Sequence, residues 1–157
     1  MATLSSSGLP ALNFPLYEFR IREENKQLKI FDMVRKKYVA LTPEEWVRQH
    51  LIHYLNKDKS YPMGLMMVEK EFKYNTLSKR ADIVVCDRSG KPLLMVECKS
   101  PDVEITQSVF DQAMRYNLKM DVTTMVLSNG FTHFCFQLDK TNGTYIALTE
   151  IPVWVKE

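Results

Sequence analysis

The sequence predicts a mixed α/β domain in which one central β-sheet carries a helix on each face. Three observations lead to this. Strand-like segments alternate with two helical ones in the order strands, helix, three strands, helix, strands. Leu93-Leu94-Met95-Val96 is an unbroken apolar run, as expected of a strand buried on both faces. The 157 residues, 45% hydrophobic and 25% charged, fit one soluble domain large enough to hold a core without staples.

Residues 1–10 are Ser-rich and lack a basic start and an apolar segment, so they are not a secretory signal. Residues 1–12 are expected as a disordered tail and residues 13–157 as a single domain. Residues 17–23 and 27–33 form strands around Glu24-Asn25-Lys26, an N-terminal β-hairpin, followed by the basic cluster Arg35, Lys36 and Lys37. Thr42-Pro43-Glu44-Glu45 starts a helix: Thr42 caps, Pro43 suits the first turn, and Glu45 stands at the capping-box position. Val47, Leu51, Tyr54 and Leu55 give this helix an apolar stripe up to residue 56.

Residues 65–74, 80–86 and 92–99 read as three strands. Ser108 and Asp111 can cap a second helix that runs to residue 119. Residues 122–127 return as a strand, Asn129-Gly130 turns, and residues 131–138 pair with 144–148 across Asn142-Gly143.

The chemistry concentrates at Arg80-Ala81-Asp82 and Glu97-Cys98-Lys99. Strand alternation points Glu97 and Lys99 the same way and Cys98 the other. Charges directly after a buried run are costly unless they pair or serve a site. Asp82 and Glu97 converging from adjacent strands, with the Cys98 carbonyl between Glu97 and Lys99, would offer the oxygen ligands that Mg²⁺ prefers. Lys99 beside such an ion could orient a water or stabilise charge on phosphorus. The plain alternative is a structural Glu–Lys pair at a strand end.

On the first helix, a wheel centred on the apolar stripe puts Glu44 at about 60°, inside the arc, and Glu45 near 160°, outside it. Glu45 is then the capping residue and Glu44 the inward acid, with Arg48 its neighbour one turn on; which of the two serves a site stays open. Gln112 and Tyr116, four apart, share a face of the second helix and could hold a phosphate or a base.

Several function classes drop out. A net charge of +2 gives no sequence-wide basic footprint for nucleic acid, so binding must come from a local patch. No apolar run reaches the ~18 residues of a membrane span. Cys86, Cys98 and Cys135 form no CxxC pair and lie in strand-like runs, which points to buried thiols in a reducing, cytoplasmic setting. His50 and His53 gather no further ligand and predict no zinc site.

The set Glu44, Asp82, Glu97-Cys98-Lys99 and Gln112-x-x-x-Tyr116 resembles the PD-(D/E)xK nuclease superfamily. More narrowly, Pro43-Glu44-Glu45-Trp46-Val47-Arg48-Gln49, Arg80-Ala81-Asp82-Ile83-Val84-Val85 and Leu94-Met95-Val96-Glu97-Cys98-Lys99-Ser100-Pro101 resemble the N-terminal nuclease domain of type I restriction enzyme R subunits, over about residues 31–136. The resemblance implies a restriction-endonuclease-like fold and Mg²⁺-dependent cleavage of DNA, with Mn²⁺ a substitute. It implies Asp82, Glu97 and the Cys98 carbonyl as metal ligands, Glu44 as a further acid acting through water, and Lys99 as the catalytic lysine. Gln112, Tyr116, Arg48 and Arg80 would contact substrate. Ala81 stands where many relatives have Pro, which is not a ligand. Restriction subunits carry a motor after this domain, so a separate motor or restriction-system protein is an expected partner; no membrane is, and a homo-oligomer stays open. The competing class is a nuclease-fold module that binds nucleic acid or a restriction or helicase partner without useful turnover.

Overall fold

Two sheets and two helices make up the computed structural model, which describes residues 8–74 and 76–156. The first sheet is antiparallel and contains β1 (Ile21–Glu24), β2 (Gln27–Asp32) and β3 (Lys37–Ala40). The expected hairpin turns through Asn25 and Lys26, both with positive φ (52° and 64°), as a tight two-residue connection requires. A third strand joins it. The basic cluster at Arg35, Lys36 and Lys37 is the turn into β3: Asp32 accepts from the backbone N–H groups of Val34 and Arg35, and Lys36 adopts φ 55°.

Helix α1 (Pro43–His53) starts as expected, with Thr42 Oγ1 accepting from Glu45 N at 3.0 Å. The capping box is not completed. Thr42 N donates to the Ala40 carbonyl instead, and the Glu45 side chain turns to other partners. The helix ends at His53 and widens into a π turn, Tyr54–Asp58, rather than stopping cleanly at residue 56.

The second sheet runs in the order β4 (Met66–Tyr74), β5 (Leu77–Cys86), β6 (Pro92–Cys98), β7 (Thr124–Ser128), β8 (His133–Asp139) and β9 (Thr144–Leu148). All neighbours are antiparallel except β6 and β7, which run parallel because helix α2 (Gln107–Met120) crosses between them. Thr106, not Ser108 or Asp111, caps α2, its Oγ1 accepting from Val109 N. The apolar run of β6 is central as expected, with Leu94, Met95 and Val96 buried and Ile83, Val84 and Val85 of β5 opposite them.

Alternation along these strands sorts the core into two clusters. Ile83, Val85, Leu94, Val96 and Val126 pack with Val47, Leu51 and Leu55 on the α1 side. Val84, Met95 and Met125 pack with Ala113, Met114 and Met120 on the α2 side. The helix on each face is thus confirmed. The expected tail is tied down from Pro10 onward, whose carbonyl accepts from the Trp46 indole, while Asn13 N donates to Gly130. Residues 1–7 lie outside the described residues.

Gly130 allows this docking. Its φ is +91°, and a Cβ there would stand 2.8 Å from Leu12 and 3.2 Å from Val47. Gly130→Ala is expected to cost about 1–3 kcal/mol in chemical denaturation.

His50 and His53 are buried among the rings of Phe14, Tyr17, Phe19 and Trp46, and burial holds both down to about 4 from the ordinary 6.5. The unfolded chain takes up these protons and the folded chain does not. Stability is therefore full above pH 6.5 and falls as the pH drops toward 4. Urea midpoints across that window check this, and His50→Gln should flatten the slope.

Candidate functional site

The site is built where α1 meets the open ends of β4, β5 and β6. Asp82 lies one step beyond Ile83–Val96, the last pair of the β5–β6 ladder on this side. The Cys98 backbone N–H donates to Asp82 Oδ2 at 2.8 Å, so the carboxylate takes up a donor that the ladder leaves behind. On β4, Glu69 occupies the register position facing Asp82, between Val68–Ile83 and Lys70–Ala81, with a left-handed φ of 57°. Strict alternation also breaks here. Ala81 packs on the α2 side and Ile83 on the α1 side, although two residues apart should share a face. Asp82 between them is aimed at α1.

There it meets Arg48. Arg48 Nη2 stands 2.7 Å from Asp82 Oδ1, 2.8 Å from Glu69 Oε1 and 3.2 Å from Glu44 Oε1, while Nη1 donates to Glu45 Oε1 at 2.7 Å. Arg48 and Asp82 are both buried, and Arg48 Nε has no partner among the described residues. Burial works against the charge on Arg48, yet the hydrogen bond to Asp82 and the charges of Glu45 and Asp82 hold its pKa above the ordinary arginine value. Glu44 is raised from the usual carboxylate range by burial and then by the negative charge of Asp82, with Arg48 opposing.

The two helix acids exchange the places the wheel gave them. The Glu45 side chain is 6% exposed and is held by Arg35, Arg48 and Gln49. That of Glu44 is 48% exposed and reaches the site from its rim. The wheel counted only the side of α1 that faces the large sheet. The small sheet covers another side, where Asp32 accepts from Arg35 and from Gln49.

Glu97 and Lys99 pair with each other, Nζ to Oε1 at 3.8 Å. Gln112 and Tyr116 lie on α2; Gln112 is exposed, and the Tyr116 hydroxyl donates to the Ser78 carbonyl on β5. Arg80 reaches Glu69 Oε2 at 2.8 Å from an exposed position. Sequence reasoning missed Glu69 altogether.

Among the described residues no three His, Cys, Asp or Glu side chains are gathered to hold a metal ion directly. The carboxylates that do converge meet on a guanidinium nitrogen. Their donor set is nonetheless that of a hard cation. Every side-chain donor is a carboxylate oxygen, and the Cys98 thiol is fully buried, its pKa pushed well up by burial and by Asp82, so it offers no thiolate.

A groove of about 500 Å³ adjoins the site, lined by Arg35, Lys37, Lys70 and Arg80 and by Glu69, which belongs to both. No described helix is long and apolar enough to cross a membrane.

The fold is a mixed α/β one, a six-stranded sheet with a helix on each face beside a three-stranded antiparallel sheet. The family model described as "Type I restriction enzyme R protein N terminus (HSDR_N)" matches residues 43–152, and the chain belongs to that family. Family membership supports a nuclease-like role. Among solved structures, the chain is similar to a candidate nuclease belonging to DUF820 from Anabaena variabilis ATCC 29413, at 14% identity and a TM-score of 0.47, over 82% of this chain and 80% of that one. No curated protein matches.

Glu45 and Glu44 should separate in stability measurements. Glu45→Ala strips a buried carboxylate from Arg35 and Arg48 and is expected to cost about 3 kcal/mol. Glu44→Ala, at the rim, should cost under about 1 kcal/mol. Urea unfolding of the two variants checks the contrast.

Proposed function

We propose that this chain is a Mg²⁺-dependent endonuclease that cleaves DNA phosphodiester bonds, with Mn²⁺ able to substitute. The observation that carries this reading is the convergence of carboxylate oxygens from α1, β4 and β5 on Arg48 Nη2, all within 3.2 Å of it, beside the strand end that bears Glu97-Cys98-Lys99. A protein that only binds phosphates gains nothing from acids gathered where phosphate would lie.

Asp82 and Glu97 would hold the ion, helped by the Cys98 carbonyl and by Glu44 through water. Bound there, it would polarise a phosphoryl oxygen and lower the pKa of a water molecule. Lys99, about one-third exposed beside Glu97, would orient the attacking water and stabilise the negative charge gathering on the phosphoryl oxygens. The Cys98 N–H keeps the Asp82 carboxylate in place during this. Arg80, with Arg35, Lys37 and Lys70 along the groove, would track the phosphate backbone, and such contacts position rather than specify. Gln112 and Tyr116 would contact substrate from α2. The expected setting is the cytoplasm, together with a separate motor or restriction-system protein.

One observation favours the second reading, a nuclease-fold module that binds nucleic acid or a restriction partner without turnover: a guanidinium stands among the acids. Cleavage assays on linear, nicked and single-stranded DNA with Mg²⁺ and with Mn²⁺ separate the two. Wild type should cut, and Lys99→Ala should lose about 10²-fold or more while still binding DNA. Equal activity in both proteins, or none in either with any metal, overturns the nuclease reading.

A further inference from the structure

Charge is unevenly placed along this chain. Residues 20–40, which build the small sheet, carry seven Lys and Arg against three Asp and Glu, a net +4 in a chain whose total is +2. The remainder is therefore acidic, and the small sheet is the local basic patch that nucleic-acid binding by such a chain requires. The family match begins at residue 43, so it says nothing about this sheet.

Alternation fixes where the charges go. Ile30 and Asp32 are buried, and Gln49 of α1 donates to Asp32. The opposite face of the same strands carries Phe31 and Tyr38 as a cross-strand pair, with Arg20 beside Phe31 and Arg22 beside Lys29. The two rings adjoin, their centroids 5.3 Å apart. The exposed Arg20 stands over the Phe31 ring at 4.1 Å, and the exposed Arg22 over the Tyr38 ring at 3.8 Å. Glu24, on the same face, meets Arg22 at 3.0 Å and Lys29 at 3.4 Å, one carboxylate against three cations. Phe31–Tyr38 is also the outward pair nearest the β2–β3 turn. Arg35 and Lys37 of that turn line the basic groove that Glu69 shares with the acidic site. Platform and groove thus adjoin at one turn.

We infer that the outer face of the small sheet binds unpaired nucleotides of a nucleic-acid strand. Bases stack on the Arg20–Phe31 and Arg22–Tyr38 pairs, and Lys29 and the exposed Lys36 meet phosphates. Rings and guanidinium planes accept any base, because every base has a π-face, whereas a duplex hides those faces inside its own stack. An apolar protein surface finds little here, since a cation stands over each ring. The site goes beyond the cleavage reading and does not depend on it.

The test uses the full chain in EDTA, so that no metal-dependent cleavage intervenes. Fluorescence anisotropy follows a labelled oligothymidylate about 15 nucleotides long, an oligouridylate and a blunt duplex of the same length. Wild type should bind one of the single strands about tenfold or more tightly than the duplex, and the tighter of the two names the source as DNA or RNA. Phe31→Leu/Tyr38→Leu should lose about tenfold on that strand with duplex binding unchanged. Arg20→Gln/Arg22→Gln should weaken it too, and lower the slope of log affinity against log salt by about one. Should the ring variant fail to fold, the arginine variant, altered at exposed positions, decides by that slope. Single-strand binding that both variants leave unchanged while Arg80→Gln abolishes it assigns binding to the groove and overturns the platform. So does displacement of the strand by polyglutamate as readily as by unlabelled oligonucleotide, which marks a face for acidic protein. Neither result touches the cleavage reading, and loss of cleavage in Lys99→Ala or in wild type leaves the platform standing.

Discussion

The placement of α1 over the sheet rests on one buried guanidinium. Arg48 bridges two acids of its own helix to Glu69 on β4 and Asp82 on β5, and Asp82 in turn holds the amide at the end of β6. Each charge taken from water costs several kcal/mol, and only dense pairing returns it. Such a network adds little net stability over a packed apolar equivalent. Its value lies in register: apolar packing of Val47, Leu51 and Leu55 tolerates sliding, whereas the two directed ion pairs to Glu69 and Asp82 do not.

Around that bridge the backbone departs from regular geometry on both sides. Glu69 is left-handed and the alternation of β5 breaks at Asp82, so the ladder is interrupted at the one level where acids from neighbouring strands face each other. Regular pleating would send Asp82, like Val84, toward α2. The local strain is what gathers α1, β4 and β5 at a single point, with the basic groove beginning at Glu69.

Much of this was legible in the residues. The buried run of β6 and the acid–lysine spacing after it fix where the charges fall, and the Thr42 cap fixes where α1 starts. Three things were not legible. Glu69 sits in an ordinary-looking strand with no glycine to announce a left-handed turn. The exchange of Glu44 and Glu45 depends on a second sheet covering α1, and its third strand is only four residues long and opens on a lysine. Pro10 and Leu12 look like tail because their anchors, Trp46 and Gly130, are distant in sequence. Local pattern reports which face of an element is apolar; it does not report what arrives from elsewhere to cover the other faces.

Finally, the orientation of Asp82 depends on a main-chain group, the Cys98 amide, rather than on any side chain at position 98. Every amino acid but proline supplies that amide. Relatives are thus free to vary the residue here to suit the core beneath it while the carboxylate keeps its aim, so evolutionary drift at this position and constancy of the acid are compatible.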